Sequence, residues 1–150
     1  MEYIIQLLTA FFGTAGFAMF WNVDKKIIPM VAFDGFAAWL VYIVCHEWAD
    51  MEIFASSFFA AATVGLIAEA LARLCKKPAS VFLIPGLVPL FPGSSLYYAV
   101  SAATTRNWQV FYTQGLTTVY FALGIACGAA VVSALIVSVG EIRKKRVKNT

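Results

Sequence analysis

From Ile84 to Tyr97 the chain reads IPGLVPLFPGSSLY, which places three prolines and two glycines inside a run apolar enough to lie in a membrane. Proline has no backbone N–H, and its ring clashes with the carbonyl four residues back, so an undisturbed helix cannot hold three of them. In hydrocarbon the freed backbone groups need partners, and broken backbone survives there only against protein or a water-filled cavity. The break is therefore the first place to look for function.

Whether that run meets lipid depends on the rest of the chain. Of its 150 residues, 61% are hydrophobic and 13% charged, far from the roughly 45–50% and 25% of soluble domains. A spanning helix needs roughly 20 predominantly apolar residues. Five segments qualify: Tyr3 to Val23, Ile27 to Cys45, Ile53 to Leu74, Ser80 to Ala103 and Val110 to Val139. The expected fold is all-α and integral to the membrane, a single transmembrane domain over residues 1–150 with its fourth helix broken at the Pro/Gly-rich motif. The first segment follows Met1-Glu2 with no basic stretch before it and is longer than the core of a signal peptide, so it reads as a retained helix.

Every basic residue except Arg106 falls on one side of a five-span arrangement: Lys25, Lys26, Arg73, Lys76, Lys77 and the cluster from Arg143 to Lys148. The positive-inside rule then puts the N-terminus outside and the C-terminus in the cytoplasm. The net charge of +3 is that of membrane anchors and gives no reason to expect nucleic acid. The tail from Arg143 to Lys148 is suited to anionic headgroups or to simple anchoring. Cys45, Cys75 and Cys127 lie on three segments without CxxC spacing, so they read as packing residues, and neither a metal nor another cofactor is expected.

Helices in lipid associate through close packing of small residues. Ser57, Ala61, Gly65 and Glu69 follow one another at i+4 and share a helix face. Gly124 with Gly128 offers a matching surface, as do Gly13 with Gly16, and Ala10 with Thr14 and Ala18. Glu69 continues the small-residue ribbon and is expected to point into the bundle, although Arg73 one turn later could neutralise it. Asp34 lies about two turns into the second segment and has no basic residue at i+3 or i+4. A charged side chain inside the bilayer costs about 2.5–3.5 kcal/mol on insertion scales and marks function by default. Asp34 and Glu69 are therefore the proton-coupling candidates. His46, beside Trp48 at the predicted outer interface, reads as an aromatic-belt residue or a proton exit.

Pro85, Pro89 and Pro92, spaced i, i+4 and i+7, would free carbonyls near Val81, Pro85 and Val88 to accept bonds from an ammonium group. Gly93-Ser94-Ser95 then reads as a fresh helix start with a serine N-cap. A helix N-terminus within the membrane presents orphan N–H groups and partial positive charge to a carboxylate, the arrangement found in the discontinuous helices of secondary transporters. Pro85, Gly86, Pro89, Pro92, Gly93, Ser94, Ser95 and Tyr97 are the candidate substrate-binding or gating residues, for a small carboxylate-bearing solute. The alternative to binding is a kink satisfied by neighbouring helices.

Two blocks carry a resemblance to the small, second-half subunit of the threonine/serine exporter family. One is Gly16 to Phe20 with Asn22-Val23; the other, more specific, is Ile84-Pro85 and Pro89 to Gly93 with Leu96-Tyr97. The resemblance implies export of threonine, serine or small carboxylic acids such as succinate across the bacterial cytoplasmic membrane, driven by protons. It also implies a larger exporter-like partner subunit, encoded separately and inverted relative to this half, with a homo-oligomer as a further possibility. The competing expectation is a structural or regulatory subunit that stabilises its partner and binds no solute. Catalysis is not expected: Ser94 and Ser95 have no base in reach, and no zinc or nucleotide motif occurs.

Overall fold

The computed structural model describes residues 1–148, with side-chain surroundings through Gly140. The chain forms helices α1 (Glu2–Phe20), α2 (Ile28–Ile43), α3 (Ile53–Cys75), α4 (Ser80–Gly86), α5 (Gly93–Thr104) and α6 (Trp108–Lys148). Among the described residues four helices are long and apolar enough to cross a membrane, and α4 and α5, with a 3-10 turn at Val88–Leu90 between them and a bend of 53°, count as a fifth when the pair is taken as one broken span rather than a re-entrant loop. An all-α membrane protein with a broken fourth span is what the hydropathy pattern predicts. At roughly 1.5 Å per residue, the 41 residues of α6 reach about 60 Å, twice the hydrocarbon thickness of about 30 Å. The basic tail Arg143 to Lys148 carries side chains outside the described residues.

The tightest seam joins α3 to α6. A methyl group added at Gly124 would strike Ser57 Oγ and come within 2.6 Å of the Phe54 carbonyl, and one at Gly128 would strike the Phe58 carbonyl and lie 3.1 Å from Ala61 Cβ. The two backbones touch because these positions carry no side chain, the association mechanism open to helices in lipid. Val132 completes the row against Gly65. On α1 the buried face is Ala10, Thr14 and Ala18, with Thr14 filling the space over Gly35 of α2. Gly13 and Gly16, by contrast, face open space. Spacing alone allowed both faces; the Ala/Thr face is the buried one, and the Thr14 hydroxyl that sits over Gly35 is satisfied by the Ala10 carbonyl at 2.7 Å.

The helix ends share one device. Asn22, Lys76 and Arg106 each adopt a left-handed φ, of 56°, 53° and 56°. The residue after each donates its N–H back five positions, Val23 to Ala18, Lys77 to Ala72 and Asn107 to Ala102. That is the Schellman cap, which satisfies orphan carbonyls and turns the chain sharply. At one end of the bundle the turns after α1 and α3 meet, tied by Lys77 to Asp24 at 3.2 Å. At the other end Tyr3 Oη donates to Glu47 at 3.2 Å, and His46 Nδ1 lies 3.0 Å from the Met51 carbonyl while its ring stacks on Tyr42 at 5.4 Å. Basic and acidic connections thus segregate to opposite ends of an antiparallel bundle.

Candidate functional site

The two halves of the broken span are held differently. α4 lies within the bundle against α1, α2 and α3, whereas the main packing partner of α5 is α6. Phe82, Pro85 and Gly86 are buried, and with them the start of the break. The 3-10 turn then resolves part of the proline problem locally. Phe91 N–H donates to the Val88 carbonyl at 3.1 Å, so that carbonyl is occupied rather than free as the proline spacing predicts.

Asp34 meets the break at Gly86. Its side chain is fully buried, and neither carboxyl oxygen has a hydrogen-bond partner among the described residues. A methyl group at Gly86 would lie 2.6 Å from Asp34 Oδ2, 3.0 Å from its Cγ and 2.9 Å from Val64 Cγ1. Glycine is required here because the carboxyl of α2 rests on the backbone of α4. Buried polar groups are ordinarily satisfied, and leaving one unpaired costs about 1–3 kcal/mol, more for a charge. The Asp34 carboxyl is thus a buried, unpaired acid set directly against broken backbone.

Two cavities lie along α1 on either side of this level, and they share no lining residue. One, of about 290 Å³, lies between α1, α2 and the 3-10 turn, with Gln6, Thr9, Thr14 and Trp39 facing Val88 and Pro89. Its polar groups are partly engaged, since Trp39 Nε1 donates to Gln6 Oε1 at 3.3 Å. The other, of about 330 Å³, opens at the basic end between Asn22, Asp24, Lys77 and the start of α4. There Lys26 N–H donates to Asp24 Oδ1 at 3.1 Å and the Lys77 ammonium to Oδ2 at 3.2 Å. The Lys26 N–H first, and Lys77 second, hold the Asp24 carboxyl below the usual carboxylate range.

The remaining sequence candidates scatter. Pro89 lines the first cavity. Ser95 is buried against α6, where the single Thr118 hydroxyl proton is shared between its Oγ at 3.1 Å and the Gln114 carbonyl at 2.8 Å, and it donates in turn to the Pro92 carbonyl at 3.2 Å. No serine caps α5: Pro92 occupies the N-cap with ψ 54°, and the helix starts at Gly93, so both serines fall inside its first turn. Ser94, Gly93 and Tyr97 are exposed, the last at 68%, and line neither flanking cavity. Glu69 is only half-buried rather than inward, and its Oε1 accepts from Arg73 at 2.9 Å. It lies on a separate hollow beside Ser133 and Leu83, where α3 runs past the glycine seam and the helices part. The contact of Asp34 with Gly86 and the Asp24–Lys77 cavity both escaped sequence reasoning. Only the Asp24–Lys77 pair left a trace there, as opposite charges on two connections at one end.

The family model described as "Threonine/Serine exporter, ThrE" matches residues 6–135, which takes in Asp34, the whole broken span and all residues lining the two cavities except Ile5. No solved structure matches the chain.

Proposed function

The chain belongs to the threonine/serine exporter family, and from that premise we propose that it forms half of a proton-coupled secondary exporter of small amino acids or small carboxylic acids. Transport of the threonine/serine exporter type and a multi-pass membrane location come with the family and the apolar helices. The finer assignments rest on the site. With the basic end in the bacterial cytoplasm, as the positive-inside rule directs, the cavity beside Asp24 faces inward and the one beside Gln6 outward. Asp34 and Gly86 lie between them, at the level where α4 gives way to the break.

The observation that carries this reading is the unpaired, fully buried Asp34 carboxyl resting on Gly86. A proton taken up there changes the charge directly against the discontinuous span, and so favours one arrangement of that span over another. That is the differential interaction a coupled conformational change requires. Solute engages Pro85 to Tyr97, with the first turn of α5 offering unpaired N–H groups to a carboxylate. Two features support a larger partner subunit. α5 has one main neighbour, and Leu96, Tyr97, Tyr98 and Val100 are all exposed on it.

The test is efflux of serine, threonine and succinate from proteoliposomes holding this chain and its partner. Asp34→Asn abolishes efflux driven by an imposed pH gradient while substrate exchange across the membrane continues. If gradient-driven efflux survives in Asp34→Asn, the proton assignment is wrong. If combined replacement of Pro92, Gly93 and Ser94 leaves all three fluxes unchanged in correctly inserted protein, the substrate element lies elsewhere.

A further inference from the structure

The cavity at the basic end contains a pair of opposite charges that the exporter reading does not use. Asp24 follows the Schellman turn of α1 and Lys77 that of α3, so two rigid helix ends set the spacing of the two charges. Both side chains remain accessible, at 44% and 38%. Exposed ion pairs contribute little to stability, so a solute carrying both charges can replace each partner without a large loss. Beside them Asn22 and Ser80 also line the cavity. Trp21 closes one wall. The volume, about 330 Å³, is at the lower limit of roughly 300 Å³ for small-molecule sites. From the floor, Ser80, Val81 and Ile84 lead along α4 to Pro85 and Gly86.

We propose that this cavity is a loading site for a small zwitterion, an α-amino acid, in which Lys77 takes the carboxylate, Asp24 the ammonium, and Asn22 with Ser80 the polar side chain. The site rests on the exporter reading for its place before the break, but its chemistry is its own. A solute with carboxylates and no ammonium gains only the Lys77 half, so the site discriminates amino acids from dicarboxylates at entry.

The test uses the full chain with its partner in inverted membrane vesicles, carrying C45A, C75A and C127A, with S80C as the reporter for a membrane-impermeant maleimide. L-serine at millimolar concentration is expected to slow labelling at least fivefold, and D24N to remove that protection. In parallel, without S80C, D24N is expected to raise the KM for serine at least tenfold and that for succinate less than twofold, and K77Q to raise both. Absence of serine protection, or equal effects of D24N on the two substrates, overturns the proposal. So does protection that requires phosphatidylethanolamine and not serine, since a zwitterionic headgroup then fills the site. Efflux without protection removes the loading site and leaves the exporter standing. Protection without efflux does the reverse.

Discussion

The two glycines of the break lie seven residues apart and have opposite surroundings. Gly86 is buried with a carboxyl and a valine within 3.0 Å of where its side chain would begin, whereas a methyl group at Gly93 would meet nothing within 4 Å. The contrast extends to the helices that hold them. α4 is anchored against α1, α2 and α3, while α5 leans on α6 through Ser95, Ala99 and Ala102 and leaves its other face bare. The break thus separates a half fixed to the charge-bearing part of the bundle from a half whose outer face is exposed. Proline and glycine content alone does not distinguish them.

Substituting the two glycines tests the contrast most directly. Gly86→Ala is expected to lower stability by about 1–3 kcal/mol, the usual range for overpacking a filled interior, and to reduce efflux at least tenfold, because Asp34 or Val64 must shift. Gly93→Ala is expected to fall within about 0.5 kcal/mol of the parent, as surface substitutions do. Denaturation in detergent measures both. Equal losses at the two positions would mean that α5 is buried by something the isolated chain provides. Adding Asp34→Ala to Gly86→Ala sharpens the point: the pair should couple by roughly 0.5–3 kcal/mol, since the second change removes the group that the first collides with.

A smaller effect is expected on the α5 side. Ser95→Ala removes the acceptor of the Thr118 hydroxyl and the donor to the Pro92 carbonyl. Thr118 keeps its second partner, the Gln114 carbonyl at 2.8 Å. The loss should therefore be about 1 kcal/mol, that of an ordinary hydrogen bond, and Thr118→Val should give no larger loss.

These contacts also show what the sequence makes legible. The spans, the break and the small-residue faces of α3 and α6 follow from hydropathy and i+4 spacing, because local rules decide them, whereas the pairing of those two faces does not. Nor does the meeting of Asp34 with Gly86, since it depends on how far α4 slides along α2 before the 3-10 turn. Glu69 shows the limit of extrapolating a ribbon: Gly65 still faces Val132, but one turn later the interface opens and Arg73 takes the carboxylate. The serine cap failed for a local reason. Pro92 has a fixed φ and no N–H, and it occupies the N-cap ahead of both serines.

The least effect is expected at the basic end, where the sign of its pH dependence is fixed. The Asp24 carboxyl is held below its ordinary value of 3.8, first by the Lys26 N–H and then by Lys77. A group whose acidity is increased by folding contributes stability above its unfolded pKa and loses it as pH falls through the folded one. Between pH 5 and 8 the pair is therefore intact, and thermal melts of the parent and Asp24→Asn should keep a constant small separation. Below about pH 4, near the reference range of free carboxylates, the two melting temperatures should converge. A separation that instead changes between pH 6 and 8 would place a different titrating group in contact with Asp24.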